Sequence, residues 1–190
     1  MQSKQGFTLI ELLVVISIIG VLASTVFASL QTAREKGKAA SVITTARALR
    51  MATELYYNTL GFYPPDTGRG WDPGFMQPLP FNPDTGASTI PACGWCPAGW
   101  DTIATQRWDG PYLASWPRLT PWGGKYDFNY WSAGASRYGC AVPPGIYIGI
   151  QRDYADLNPI STVAEQWMLD RKIDMDGCLN GEAQLLLERL

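Results

Sequence analysis

Between Phe7 and Thr32 the chain carries one charged residue, Glu11, in a run of Leu, Ile, Val and Ala without proline. At about 1.5 Å per residue, roughly 20 such residues make a helix long enough to cross the hydrocarbon core of a bilayer. A carboxylate inside such a helix is costly and by default functional, with a partner. The segment has three readings. A secretory signal would be cleaved after the apolar run, near the small residues of "ASTVFAS". A plain anchor would stay intact. A third kind of segment is cleaved ahead of the run, between Gly6 and Phe7. Only the third has a use for Glu11.

Lys4 precedes the run, and Arg34, Lys36 and Lys38 follow it, so flanking charge does not orient the helix. The cysteines do. Cys93, Cys96, Cys140 and Cys178 all lie after the run, and an even number in a small exported domain suggests two disulfides on the oxidising side. The chain has no histidine, which removes Ser-His-Asp and Cys-His nucleophile systems and His-based metal sites. No nucleophile–base pair is visible, and the expectation is that the chain is not an enzyme. Its formal net charge of −2 leaves no basic footprint for nucleic acid.

The helix does not stop at the end of the apolar run. Val42, Ala46, Leu49, Thr53, Tyr56 and Leu60 recur every three or four residues, and Gly61 supplies a C-cap. One helix from Phe7 to about Leu60 is predicted, with Gly20 and Gly37 as weak points and local melting near Gly20 in an assembled state as one expectation. From Gly61 to Gly149 the chain is rich in Trp, Tyr, Gly and Pro, which predicts loops and short strands. Tyr126, Phe128 and Tyr130 alternate with Lys125, Asp127 and Asn129, as in a half-buried strand whose aromatic side faces inward. A turn at Trp122–Gly124 precedes it, and Gly145 to Gln151 reads as a second strand.

The stretch "GFTLIELLVVISIIGVLA" resembles the class III signal of bacterial type IV pilins and type II secretion pseudopilins. That resemblance implies cleavage by a prepilin peptidase after Gly6, N-methylation of Phe7, and retention of Glu11 at the fifth position of the mature chain. The ammonium created at Phe7 would stand one helical turn from Glu11 and could be neutralised within the chain or by a neighbour. Tyr57, Gly61, Tyr63 and Pro64, and the "GPYL", "PWG" and Tyr126–Tyr130 elements, are similar to the head core of the type II secretion major pseudopilins. The implied fold is α+β: a long N-terminal helix packed on a small antiparallel sheet. The expected layout is a leader at 1–6, a membrane and filament-core helix at 7–32, an amphipathic half at 33–60 and a head at 61–190. The head contains a variable loop at 71–108 and a C-terminal helix and turn at 161–190.

The implied function is a structural subunit that polymerises through its N-terminal helix. The alternative is a minor or tip subunit binding surfaces, DNA or secreted protein through the Trp-rich insertion. The implied partners are copies of itself in a helical filament, the prepilin peptidase, the membrane, and an inner-membrane assembly platform with its ATPase. The implied location is the bacterial inner membrane, in a single pass, and then a surface pilus or periplasmic pseudopilus.

Cys93 and Cys96 allow a redox centre, half of a four-cysteine zinc site, or a structural disulfide, the last being favoured with a second bridge from Cys140 to Cys178. Thr162 with Glu165 reads as a capping box, and Val163, Ala164, Trp167 and Met168 share a helix face. Asp174, Asp176, Asn180 and Glu182 are loosely spaced like calcium ligands, with Gly177 at the turn; a solvated turn capping a helix is the other reading. Major pseudopilins bind calcium near their C-terminus, but their ligand pattern is not reproduced, and "SAGAS" stands where an acidic motif is expected.

Overall fold

The computed structural model describes residues 8–137, 139–150 and 159–190. Its first element, α1 (Leu9–Leu60), is one unbroken helix. It ends where expected: Gly61 takes a left-handed φ of 84° and its N–H donates to the Tyr57 carbonyl. The predicted stripe is the buried one. Val42, Ala46, Leu49, Thr53, Tyr56 and Leu60 are all buried, joined by Ala39 and Ala52. The helix runs straight through Gly20 and Gly37, where an added Cβ would meet nothing.

The stripe packs on a three-stranded antiparallel sheet of β1 (Tyr126–Trp131), β4 (Gly145–Ile150) and β5 (Ala183–Glu188), ordered β1-β4-β5. The register sets Phe128 opposite Ile148 and Ile148 opposite Leu185. Every second residue of each strand then turns toward α1, so Tyr126, Phe128, Ile146, Ile148, Ile150, Leu185 and Leu187 fill one core. A hairpin of β2 (Ala135–Arg137) and β3 (Cys140–Val142) stands apart from this sheet. Two short helices, α2 (Trp100–Arg107) and α3 (Thr162–Leu169), complete the order.

Four features differ from the sequence reading. First, Asp127 and Asn129 are buried along with their aromatic neighbours, as are Tyr147 and Gln184 on the same side of the sheet. That side is covered rather than solvated; the Tyr147 hydroxyl donates to the Pro143 carbonyl beyond β3. Second, β5 replaces part of the expected terminal turn. "AQLLLE" has no β-branched residue, and pairing with β4 overrides its helical propensity. Third, the 71–108 insertion contains α2. Fourth, the cap of α3 is Ser161, whose oxygen accepts the Ala164 N–H; Val163 is exposed, and Glu165 is buried and occupied elsewhere.

The insertion is anchored by its tryptophans. Trp95 stacks on Tyr130 with ring centroids 3.8 Å apart and donates its Nε1–H to the Pro64 carbonyl. Trp108 donates to the Gly74 carbonyl at 3.0 Å, and Trp100 is buried. These rings hold the loop to the head rather than display it. Asp72 does the same from within. Its carboxylate accepts the N–H groups of Phe75 at 3.1 Å and Met76 at 3.0 Å, and burial pushes its pKa up to about 6 despite those bonds. Asp72→Ala leaves both donors unpaired under the head surface and is expected to cost about 1–3 kcal/mol, measured by urea unfolding.

Candidate functional site

From Leu9 to Leu30 the apolar residues of α1 face no part of the head. Leu9 is 78% exposed and Phe27 70%. Ser17, Ser24, Thr25 and, just beyond, Thr32 each donate a hydroxyl to a carbonyl three or four residues back. Such a surface suits a lipid or protein environment, where backbone and side-chain polar groups must find partners within the helix. By length and composition α1 can cross a membrane.

Glu11 closes the N-terminal turn. Its Oε2 accepts the Thr8 N–H and the Thr8 hydroxyl, both at 2.8 Å, while the Glu11 N–H donates to Thr8 Oγ1 at 3.3 Å. This is a capping box, and the T-x-x-E pattern that encodes it was present in the sequence. The sequence reading assigned Glu11 to the Phe7 ammonium instead. Gly6 and Phe7 lie outside the described residues.

Glu35 is the first buried residue of α1. Its Oε2 accepts the Trp122 indole N–H at 2.8 Å and the Ser161 hydroxyl, and its Oε1 pairs with Lys38 Nζ at 2.8 Å. Lys38 Nζ also sits 5.8 Å from the Trp122 ring centroid. Burial works to raise the pKa of Glu35, but the hydrogen bonds from Lys38, Ser161 and Trp122 together hold it below the usual range. One carboxylate therefore ties α1 to the turn before β1 and to the cap of α3. Sequence reasoning missed it, although Glu35 lies four residues before Ala39 on the buried stripe. Glu35→Ala is expected to destabilise the head by about 1–3 kcal/mol, read from the shift in urea midpoint.

The cysteines pair as Cys93–Cys96 and Cys140–Cys178, with Cα separations of 5.3 Å and 6.0 Å. The second bridge brings β3 to the acidic loop before β5. There three of the expected calcium ligands, Asp174, Asp176 and Asn180, serve the backbone. Asp174 Oδ1 accepts the N–H of Gln184 at 3.0 Å and of Asp176 at 3.3 Å. Asp176 Oδ1 accepts the Cys178 N–H at 3.0 Å. Asn180 Nδ2 reaches Asp176 Oδ2 and Cys140 Sγ, and its Oδ1 accepts the Glu182 N–H. Glu165 reaches across from α3 to accept the N–H groups of Asn180 and Gly181. Among the described residues no three carboxylate or thiol groups converge on a point that could hold a metal ion.

Burial also acts on the carboxyl groups of this loop. Burial, with the charges of Asp176 and Glu165 adding to it, pushes Asp174 up to about 8. Burial also raises Asp176 and Glu165. An acid whose folded pKa lies above its unfolded value keeps its proton in the folded state after the unfolded chain has lost it. Its contribution to stability is complete below the unfolded pKa and is lost as pH rises through the folded one. The urea midpoint is therefore expected to fall between about pH 4 and about pH 8, and Asp174→Asn to flatten that slope. A midpoint at the alkaline end that rises on adding calcium would assign a metal to this loop.

Comparison with known proteins bears on part of this architecture. Residues 1–27 match the family model of the prokaryotic N-terminal methylation motif. The chain is 42% identical over 64 residues to the type II secretion system core protein G of Klebsiella pneumoniae, covering 34% of this chain and 46% of that protein. The core protein G of Klebsiella michiganensis is 40% identical over 63 residues, covering 33% and 44%. The chain thus spans less than half the length of the curated relatives it matches. No solved structure matches. The resemblance read from the residues stands: a prepilin-type methylation motif opens a chain that is similar, over about a third of its length, to the core pseudopilin of type II secretion.

Proposed function

We propose that this protein is a structural subunit of a type IV pilus or type II secretion pseudopilus. The observation that carries the reading is the exposed apolar half of α1, rigidly continuous with a helix half that is buried in a folded head. The methylation motif at 1–27 supports it, as does the likeness to core protein G. The chain is held in the inner membrane by the Leu9–Leu30 stretch, with the disulfide-bonded head on the oxidising side. A prepilin peptidase cuts between Gly6 and Phe7 and the new Phe7 nitrogen is methylated. An assembly platform and its ATPase then move the subunit into a helical array of copies, which extends on the cell surface or in the periplasm.

Glu11 has a defined part in this scheme. In the uncut chain its carboxylate is held against the Thr8 N–H, beside the bond to be cleaved from the leader. Cleavage supplies a cationic donor at Phe7 beside the neutral Thr8 donors, so the carboxylate can neutralise its own terminus in the membrane. In the array it can pair with the terminus of a neighbour instead. Both states keep a charge in a low-dielectric medium compensated, and an uncompensated one is strongly disfavoured.

Intact mass of sheared filaments and of membranes from the native cells tests the processing. The expected species begins at Phe7 and is heavier by one methyl group. Glu11→Val is expected to be cut and methylated normally yet to leave filaments undetectable by electron microscopy. Retention of residues 1–6 in every fraction, or normal filaments from the Glu11 variant, overturns the proposal.

A further inference from the structure

A groove of about 260 Å³ runs between α1 and the edge strand β5. Ile43, Ile173 and Leu186 contribute apolar surface to it, and Arg47, Arg50, Lys172 and Arg189 bring four cations to it. The chain has 15 Lys and Arg residues and a net charge of −2, so gathering four of them on one groove is a local excess that the overall balance does not explain. Only Arg50 is compensated, by Glu54 at 3.1 Å and Glu188 at 3.8 Å. Arg47, Lys172 and Arg189 make no ion pair and no side-chain hydrogen bond among the described residues, and all three are exposed. Lys172 also has a φ of 54°, the one positive value at a non-glycine among the described residues. Glycine or asparagine would relax that turn, yet a long cation stands there, facing the groove.

Two kinds of anion could answer such a rim: lipid phosphates and protein carboxylates. Reach separates them. Ile43 lies 13 residues beyond Leu30, where the exposed apolar stretch ends, or about 20 Å along the helix. The headgroup layer is only about 5–8 Å deep on each side of the hydrocarbon core. With the helix upright, membrane phosphates stop well short of the groove. The apolar floor adds a second requirement, because a bare anion would leave it wet.

We infer that this groove binds an acidic peptide segment of a partner protein, with carboxylates on the arginine and lysine rim and an apolar side chain on the Ile43–Ile173–Leu186 floor. The inference deepens the proposed function by giving the chemistry of a partner. It uses the membrane-anchored orientation to set lipid aside, and it does not require that filaments form.

The test uses the full chain in a neutral detergent and a fluorescent synthetic peptide of alternating glutamate and leucine, read by anisotropy. Saturable binding is expected, weakening as ionic strength rises. The combined variant Arg47→Ala, Lys172→Ala, Arg189→Ala should lose about tenfold or more in affinity. The charge-preserving Arg47→Lys, Arg189→Lys should keep most of it, and Lys36→Ala with Arg107→Ala, away from the groove, should change nothing. A glutamate–serine peptide should bind more weakly than the glutamate–leucine one. No saturable binding, equal loss in the distant variant, displacement by inorganic phosphate at matched ionic strength, or groove-dependent binding to phosphatidylglycerol nanodiscs would each overturn the inference. Processing at Phe7 is read independently by mass, so failure here leaves the proposed function standing and its failure leaves the groove.

Discussion

One helix in this protein meets two solvents, and the change between them is made at Glu35. N-terminal to it, from Leu9 to Leu30, α1 is apolar and uncovered; C-terminal to it, a single stripe is buried and the other faces are exposed or half-buried. The stripe positions at 35, 39, 42, 46, 49, 53, 56 and 60 alternate steps of four and three, the spacing that keeps one face of a helix against one surface. Burying Val42 and Leu49 in the head is worth about 1.5–3 kcal/mol for each side chain. Glu35 gives that docking its lower boundary, because a carboxylate bonded to an indole and a hydroxyl fixes position where apolar contact alone would allow sliding.

The head is built to receive that stripe, and its chain order explains why it needs covalent help. β4 pairs with β1 just before it and with β5 some thirty residues later, so the third strand must be brought back across the intervening chain. The Cys140–Cys178 bridge, with a sequence separation of 38, shortens that search by tying β3 to the loop that delivers β5. On a chain-entropy view a loop of this size is worth about 3–4 kcal/mol. The acidic loop beside the bridge is the counterweight. Asp174, Asp176 and Glu165 secure backbone N–H groups of the returning segment, but they do so as buried acids crowding one another.

Where local pattern and tertiary packing agreed, the sequence was readable. The α1 stripe, its Gly61 cap and the core-facing side of β1 follow from periodicity and one glycine, and both cysteine pairings agree with the favoured disulfide reading. Where tertiary contact decides, it was not. Asp127 and Asn129 alternate like solvent-facing residues, but the other side of the sheet is covered as well. "AQLLLE" reads as helix or turn until β4 offers an edge. Acidic spacing alone cannot tell whether a carboxylate turns toward a cation or toward the nearest N–H, and Asp174 and Asp176 each give one oxygen to the backbone. Thr8 and Glu35 were the legible omissions. The first completes a capping box and the second continues the stripe one turn earlier, yet the composition of the apolar run drew attention from both.

The exposed half of α1 sets a final constraint on any assembly. Lipid tails are as apolar as leucine, so moving this helix from a bilayer into a bundle of its copies gains little hydrophobic free energy. Shape and polar pairing must supply the preference. The hydroxyls of Ser17, Ser24, Thr25 and Thr32 are already bonded to their own helix and have little to offer a neighbour. Glu11 differs. Its carboxylate is satisfied by a single residue, Thr8, at the very end of the helix, and that cap is open to competition from any nearby cation. A residue that is tolerable in the monomer and better satisfied beside a second N-terminus gives direction to an exchange that apolar surface leaves nearly balanced. For an assembly of the proposed kind, a second carboxylate within the run would need its own partner in the bilayer, at a cost the assembled state would first have to recover.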